Sequence, residues 1–501
     1  MEASEITAKI KEAKDEIKKE GEAFKQEHLQ IPELSWLLFL KCFDDFEKTN
    51  ELRTKGYEGI IPKPLRWRDW ATDKGITGDL LIKKVDELFR EFQKLQPEKG
   101  KEERNIFGTI FRKIPNRIRD GYRLRKIINF VDEISFLKQK DIDNFVAAYE
   151  TELYEMVKSA EKAAYYYTPR AVTKFITNVI KPNFTKGERV WDPACGFGGF
   201  LIESLKMMEK YEDSVELRKK LRYETLFANE KDAQTFLCGI LNTMTNGISR
   251  PNFSLTNTLS KHTREISADD QYEVIMTNPT YGGQEDKTIK KNLPLEFQTG
   301  DTALHFLYYV MESLKKNGRA AIILPAGVLN GTTGVFAKIK KELFEKFNLH
   351  TIIRLAESTF DPYTTIATNI LFFDKNGPTK EIWYYQMHVS ERLRVEGKKT
   401  KPHYSKTKPI EDQDFADVLE WIKGKKGNQN AWKVSVDEIK EYNLDIKNPN
   451  DKEEPINLSP HKLIRQIIED ENRTLDLLDD VKKLIDEEIP EDEEEKDEEK
   501  K

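Results

Sequence analysis

Cysteine is nearly absent. Cys42, Cys195 and Cys238 are the only three in 501 residues, and their spacing fits neither a zinc site nor a disulfide framework. A chain built this way reads as reduced and cytoplasmic. Long apolar runs are missing as well: no stretch of about 18 apolar residues offers a membrane span. The opening MEASEITAKIKEAKDEI is a charged helical pattern without an apolar signal-peptide core. Two nucleotide signatures are also lacking. No G-x-x-x-x-G-K-[ST] occurs, which excludes an obvious P-loop motor, and the glycines present do not fit the dinucleotide G-x-G-x-x-G. No internal repeat is found.

A net positive charge is lacking too, the formal balance being −6. The deficit is local. Residues 451–501 carry 20 acidic and 9 basic side chains, a balance of −11, which leaves the 450 residues before them at +5. The end, EEIPEDEEEKDEEKK, reads as a solvated, disordered tail. The body is mildly basic, which permits nucleic-acid binding and suggests that other chains supply part of the contact. What the chain has in quantity is apolar residues, 38%, of which enough are aromatic to build cores for two or three domains.

Periodicity divides the chain. Residues 1–160 read as successive helices, for example Leu34–Phe43 and Leu80–Phe92, and form a helical N-terminal domain. Across 161–395, β-rich runs at 188–191, 223–228, 272–277, 319–325, 350–355 and 366–373 alternate with helical stretches, the signature of an α/β domain with a parallel sheet covered on both faces. Residues 396–488 are a polar segment followed by a helical pattern, and 489–501 are the acidic tail.

Chemistry concentrates at the ends of four β-rich runs. Residues 189–200, RVWDPACGFGGF, take a strand through Asp192-Pro193 into Ala194-Cys195-Gly196-Phe197-Gly198-Gly199 and then a helix. Glycines there allow positive φ and close approach of backbone to a ligand, at the carboxyl end of a strand where open α/β sheets bind. The second run ends in Asn229-Glu230, an acid placed to accept both hydroxyls of a ribose; a third ends near Asn257, which can meet a nucleobase. Residues 272–283, YEVIMTNPTYGG, end a strand at Asn278-Pro279-Thr280-Tyr281. Proline cannot continue the ladder, so the chain turns outward. The Asn278 oxygen and the Pro279 carbonyl can then accept hydrogen bonds from one exocyclic amine, while Tyr281 offers a ring for stacking a base. By itself each feature also reads as an ordinary turn or a surface acid.

In order, these residues resemble the amino-methyltransferases, and in particular the modification subunits of type I restriction–modification systems. Tyr167-Thr168-Pro169-Arg170, GRAAIILPAGVL at 318–329, and Phe360-Asp361-Pro362-Tyr363-Thr364 followed by ATNILFF at 367–373 narrow the likeness, which spans roughly residues 10–390. The resemblance implies a Rossmann-like class I methyltransferase domain behind the helical domain, with a C-terminal helical arm. It implies adenine-N6 methylation of double-stranded DNA from S-adenosyl-L-methionine, on an adenine flipped out of the duplex. Tyr167, Thr168, Pro169, Asp192, Ala194, Gly196, Gly198, Gly199, Glu230, Asn257 and Asn278 would hold the cofactor, and Asn278, Pro279 and Tyr281 the target base. No metal is implied. The implied partners are a specificity subunit, a restriction/translocase subunit and a second copy of the chain. Three positions depart from the family: Thr280 stands for the usual proline, Asn257 for an acid, and Ala164 for a glycine. The alternatives are an inactive or weakened scaffold, or a methyltransferase acting on RNA or a protein amide.

Other features read two ways. Residues 112–126, RKIPNRIRDGYRLRK, carry seven cations against Asp120 and fit either phosphate contacts or intraprotein pairing. Trp67 and Trp70 read as core or interface residues in preference to base-stacking ones. Cys195 is positioned for packing rather than nucleophilic attack. Leu463, Ile464, Ile467, Ile468, Leu475 and Leu478 recur at helical spacing and fit a partner-binding helix. The segment after the catalytic domain is too short for paired target-recognition domains, so sequence choice belongs on another chain.

Overall fold

The computed structural model describes residues 1–451 apart from 100, 160–166, 211–219, 222–223, 249–251, 281–284, 287, 362–363, 365, 395–401 and 406. Beyond 451 it describes 464, 465, 468, 471, 475 and 478. Met1–Pro449 forms one unit and Asn450–Lys501 a second. In the second, the described residues from 464 onward are helical, and Ile464, Ile468, Leu475 and Leu478 are exposed. Leu463, Ile467 and the acidic tail lie outside the described residues.

The helical region comprises α1 (Ala3–Lys18), α2 (Glu27–Arg53), α3 (Trp67–Trp70), α4 (Gly78–Lys94), α5 (Arg104–Lys113), α6 (Gly121–Asp132) and α7 (Gln139–Ser159). Helix α4 is amphipathic, burying Leu81, Val85, Leu88, Phe89 and Phe92 at helical spacing. Helix α2 is buried on every side from Gln30 to Asp45, so its charges need partners: Lys41 pairs with Asp45 at 2.7 Å and Arg68 with Asp44 at 2.8 Å. Trp67 and Trp70 are each 1% exposed, and Trp67 Nε1 donates to Asp132 at 2.7 Å. They are core. The basic run is engaged inside this region: Arg117 pairs with Glu33, Arg119 with Asp86, Arg123 with Glu20 and Lys126 with Glu16, while Arg125 donates to the carbonyls of Ala71 and Ile76.

The α/β region follows as α8 (Arg170–Ile180), β1 (Val190–Asp192), α9 (Gly199–Glu209), β2 (Leu226–Glu230), α10 (Ala233–Thr245), β3 (Asn252–Leu255), β4 (Tyr272–Thr277), α11 (Thr302–Ser313), β5 (Leu314–Pro325), α12 (Ala326–Asn330), α13 (Gly334–Lys346), β6 (Asn348–Arg354), β7 (Thr368–Asp374), β8 (Glu381–Gln386), α14 (Ala416–Gly424) and β9 (Ala431–Ser435). The nine strands lie in one sheet, in the order β3-β2-β1-β4-β5-β7-β6-β8-β9. Strands run buried on both faces because helices cover both: Val274 and Met276 share a core with α8 and α9, and Ile275 shares one with α11 and α13. Strand β1 sits between β2 and β4, so the chain reverses direction across the sheet there and opens a crevice at the carboxyl ends of β1 and β4.

The sheet is mixed, not parallel throughout as alternation alone implies. Strand β7 runs antiparallel to both β5 and β6, and β9 antiparallel to β8. A parallel return needs a crossover, commonly a helix, and none lies among the described residues between β6 and β7. The sheet also continues beyond 395, since β9 completes its edge.

The two regions meet at α10, every residue of which from Thr235 to Thr245 is buried. Phe236, Leu237, Ile240, Leu241 and Met244 join the hydrophobic core of α1–α7. Cys238 Sγ reaches Ser35 Oγ at 3.5 Å, and Ser35 Oγ lies 2.6 Å from Tyr149 Oη, which links α10 to α2 and α7. Within the helical region, Gly121 is set by contact: a Cβ there would lie 1.9 Å from the Gly78 carbonyl oxygen at the start of α4. Gly121→Ala should therefore cost about 1–3 kcal/mol by overpacking; thermal unfolding followed by circular dichroism should show a lowered midpoint, and an unchanged midpoint would refute this packing.

Candidate functional site

The crevice holds two adjoining chambers. The larger, about 270 Å³, is lined by Ala194, Gly196, Glu230, Asn257, Asn278 and Thr280, with Lys231, Thr258, Glu285 and Phe306 completing its wall. The smaller, about 40 Å³, is lined by Tyr167, Thr168, Asp192 and Gly199 and shares Ala194, Gly196 and Asn278 with the first. The motifs singled out in the sequence, separated by as many as 110 residues, thus converge because β1, β2, β3 and β4 end side by side.

The turn after β1 is held from both sides. Asp192 Oδ1 accepts from the Ala194 amide at 3.1 Å, and Glu230 Oε2 at the end of β2 accepts from the Gly196 amide at 3.1 Å. Gly196 has φ +52°, in the left-handed region. Gly198 lines neither chamber. Its φ is +79°, and a Cβ would lie 2.4 Å from Thr243 Cγ2, so packing against α10 requires it. Phe197 belongs to the core shared with the helical region, and a Cβ on Gly239 of α10 would lie 2.6 Å from the Gly196 carbonyl oxygen. Cys195 is buried, its thiol pushed well up by burial, and it donates to the Gly196 carbonyl; it is not activated as a nucleophile.

At the end of β4, Asn278 is 7% exposed. Its Nδ2 donates to Thr168 Oγ1 at 3.0 Å, which fixes the amide, while its Oδ1 is buried without a hydrogen-bond partner. Pro279 is buried and Thr280 half-buried. Tyr281 lies outside the described residues, as does Ala164. Tyr167 packs edge-on against Tyr154 at 5.7 Å and near Phe197 at 6.3 Å, while Pro169 borders a separate open groove on the outer side of this segment. Arg170 pairs with Glu150 and, at 3.2 Å, with Glu203, tying the segment to α7 and α9.

Asn257 sits at the end of β3 as expected, but its side chain is already engaged. Its Oδ1 accepts from the Leu259 amide at 3.0 Å and its Nδ2 donates to Glu285 at 2.9 Å. Lys231, Glu285 and Phe306 are wall residues that sequence reasoning missed: Lys231 follows Glu230 without a motif of its own, and Glu285 and Phe306 come from segments whose approach depends on the tertiary fold.

The electrostatics are unusual for residues so near each other. Burial raises the Asp192 carboxyl to about 7, despite the Thr277 hydroxyl and the Ala194 amide, which lower it. Burial also raises Glu230, opposed by the amides of Asp232 and Gly196. Two buried acids with no cation paired to them among the described residues suit a ligand that brings donors and positive charge.

The N-6 DNA Methylase family profile matches residues 140–456. The chain is 39% identical over 475 residues to the methylase subunit of the type I restriction enzyme EcoEI from Escherichia coli, a match covering 92% of this chain and 94% of that protein. Among solved structures, a modification subunit of a type I restriction enzyme from Vibrio vulnificus YJ016 superposes with a TM-score of 0.79 at 38% identity, covering 90% of this chain and 97% of that one. A chain solved in work on complex assembly and conformational transition of the type I R-M system gives 0.76 at 31% identity, covering 97% and 99%.

The raised Asp192 carboxyl has a consequence for stability. The folded state holds its proton between the ordinary 3.8 and about 7, while the unfolded chain has released it. The stability it contributes is therefore fully present below 3.8 and is lost as pH rises toward 7. Asp192→Asn removes that loss, so thermal midpoints of variant and parent measured from pH 5 to 8 should diverge as pH rises, with the variant falling less. Parallel curves would show that Asp192 is not buried as described.

Proposed function

The chain belongs to the N-6 DNA methylase family as a type I modification subunit, an adenine-specific DNA methyltransferase, and from this we propose that it moves the methyl group of S-adenosylmethionine to the N6 amine of an adenine presented at Asn278. One observation carries the reading. The Asn278 oxygen is buried, unpartnered and held in orientation by the Thr168 bond to its own amide nitrogen. A buried acceptor without a donor is costly unless something supplies one. An exocyclic amine does so, and two acceptors, Asn278 Oδ1 and the Pro279 carbonyl, draw out the lone pair that attacks.

The residues lining the chambers fit the cofactor. Glu230 retains lone pairs on both oxygens beyond the bonds from Gly196 and Asp232 and can accept from two ribose hydroxyls. Asp192 offers negative charge beside the smaller chamber, where a cationic amino-acid end would sit, with Tyr167 and Thr168 around it. Bound there, the cofactor would supply an electrophilic methyl on a sulfonium. The target base must leave the stack to reach Asn278, and stacking on Tyr281 would be worth roughly 1–3 kcal/mol.

The specificity subunit, a restriction subunit, a second copy of the chain and duplex DNA are the partners this reading assigns. The exposed Ile464, Ile468, Leu475 and Leu478 supply an apolar helix surface for one of them.

The test is tritiated methyl transfer to duplex DNA by the full chain with its co-encoded specificity subunit, against RNA and protein controls. Asn278→Ala should lower the rate by roughly 100- to 1,000-fold while calorimetry shows cofactor binding nearly intact. Gly196→Asp should abolish cofactor binding instead, by placing a charged side chain where backbone lines the cleft. Thr280→Pro should hold or modestly raise activity. Transfer to RNA or protein in preference to DNA, or none from wild type with cognate DNA, would overturn the reading.

A further inference from the structure

Around the larger chamber, most side-chain acceptors are spent. Asn257 Oδ1 caps the Leu259 amide, Asp232 Oδ1 accepts from both the amide and the hydroxyl of Thr235, and the Thr258 hydroxyl donates to the Pro193 carbonyl at 2.6 Å. Glu230 is tied to the glycine turn. A further carboxylate lies beside Asn257 in the wall. Glu285, from the segment beyond β4, holds Lys231 Nζ at 2.7 Å with Oε1 and Asn257 Nδ2 at 2.9 Å with Oε2. Its side chain is 12% exposed, which marks it as part of the wall and not a surface acid. Each oxygen keeps a further lone pair.

A nucleobase in this chamber brings an edge that must be matched. Adenine presents an amine donor and a ring-nitrogen acceptor; hypoxanthine presents a carbonyl acceptor and a ring N–H donor. Asn257 is the weaker candidate to accept from the amine, because its oxygen already accepts from the Leu259 amide and its nitrogen is a donor held by Glu285. The carboxylate beside it is the stronger. We propose that Glu285 is the acceptor that reads the exocyclic amine of the cofactor's base and so makes the cleft selective for an adenine nucleoside, with Lys231 and Asn257 holding it in place. The inference rests on the reading of this cleft as the S-adenosylmethionine site.

Calorimetry on the full chain with S-adenosylhomocysteine and S-inosylhomocysteine as probes tests it. Wild type should bind the adenosyl compound more tightly. Glu285→Gln, which keeps the shape but supplies an amide able to donate, should shrink that preference by roughly 10- to 100-fold, chiefly by weakening the adenosyl compound. Asn257→Asp in the Glu285→Gln background returns a carboxylate to the same spot, keeps an oxygen for the Leu259 amide, and should restore the preference. A structural role alone would not predict this rescue. An unchanged ratio in Glu285→Gln, or an equal loss for both probes, would overturn the assignment. Wild type binding neither compound would instead overturn the cofactor reading beneath it.

Discussion

Helix α10 is the constraint on which the rest depends. Its sequence, AQTFLCGILNTMT, has no charge, and it is buried from Thr235 to Thr245, so it can exist only between two partners. On one side are α2 and α7 of the helical region; on the other is the glycine turn, with Gly239 against the Gly196 carbonyl and Thr243 against Gly198. The turn therefore has its shape only when the helical region is docked. Asn242 reinforces this by donating to the Phe197 carbonyl at 2.8 Å, satisfying a backbone acceptor in the turn. The helices before the sheet are thus part of the apparatus that holds the cleft, not an appendage beside it.

A second feature is electrostatic. The turn is closed off from water, and this raises the Asp192 and Glu230 carboxyls. The same closure leaves the Asn278 oxygen without a partner. Each costs the fold stability, and hydrogen-bond donors or positive charge brought to the cleft would offset it. Burial, charge and missing partners point the same way at three positions supplied by three different strand ends.

The order of the motifs was legible from sequence because each marks the end of a β-rich run, where period-2 patterning gives way to Gly or Pro. The Rossmann-like fold behind a helical region followed from the same alternation, and the family membership bears it out. Strand direction was not legible: β7 and its neighbours differ in connection, not in composition, so their runs look alike. The glycines were read as a ligand cradle, yet Gly198 answers to Thr243, a contact 45 residues away that no local pattern encodes. The engagement of Asn257 and the arrival of Glu285 beside it escaped for the same reason. The cation run at 112–126 shows the converse. Composition made it look available, and the acids that pair with it lie on α1, α2 and α4.

Thr280 is where sequence and structure weigh most differently. Against the family pattern, the loss of proline implies a looser turn and opens the way to a scaffold that no longer catalyses. In the fold, the bond that orients the Asn278 side chain does not involve that position. Asn278 is fixed by Thr168, itself held in the Tyr-Thr-Pro-Arg segment whose Arg170 pairs with Glu150 and Glu203. It is also anchored from behind by β4, whose last residue, Thr277, is fully buried. Proline at 280 would restrict the backbone after the acceptor, whereas these contacts restrict the acceptor itself. The half-buried threonine lines the cleft wall and adds a hydroxyl there without removing any of them. The orientation of the Asn278 side chain is therefore set by tertiary contacts, and threonine at 280 leaves them in place.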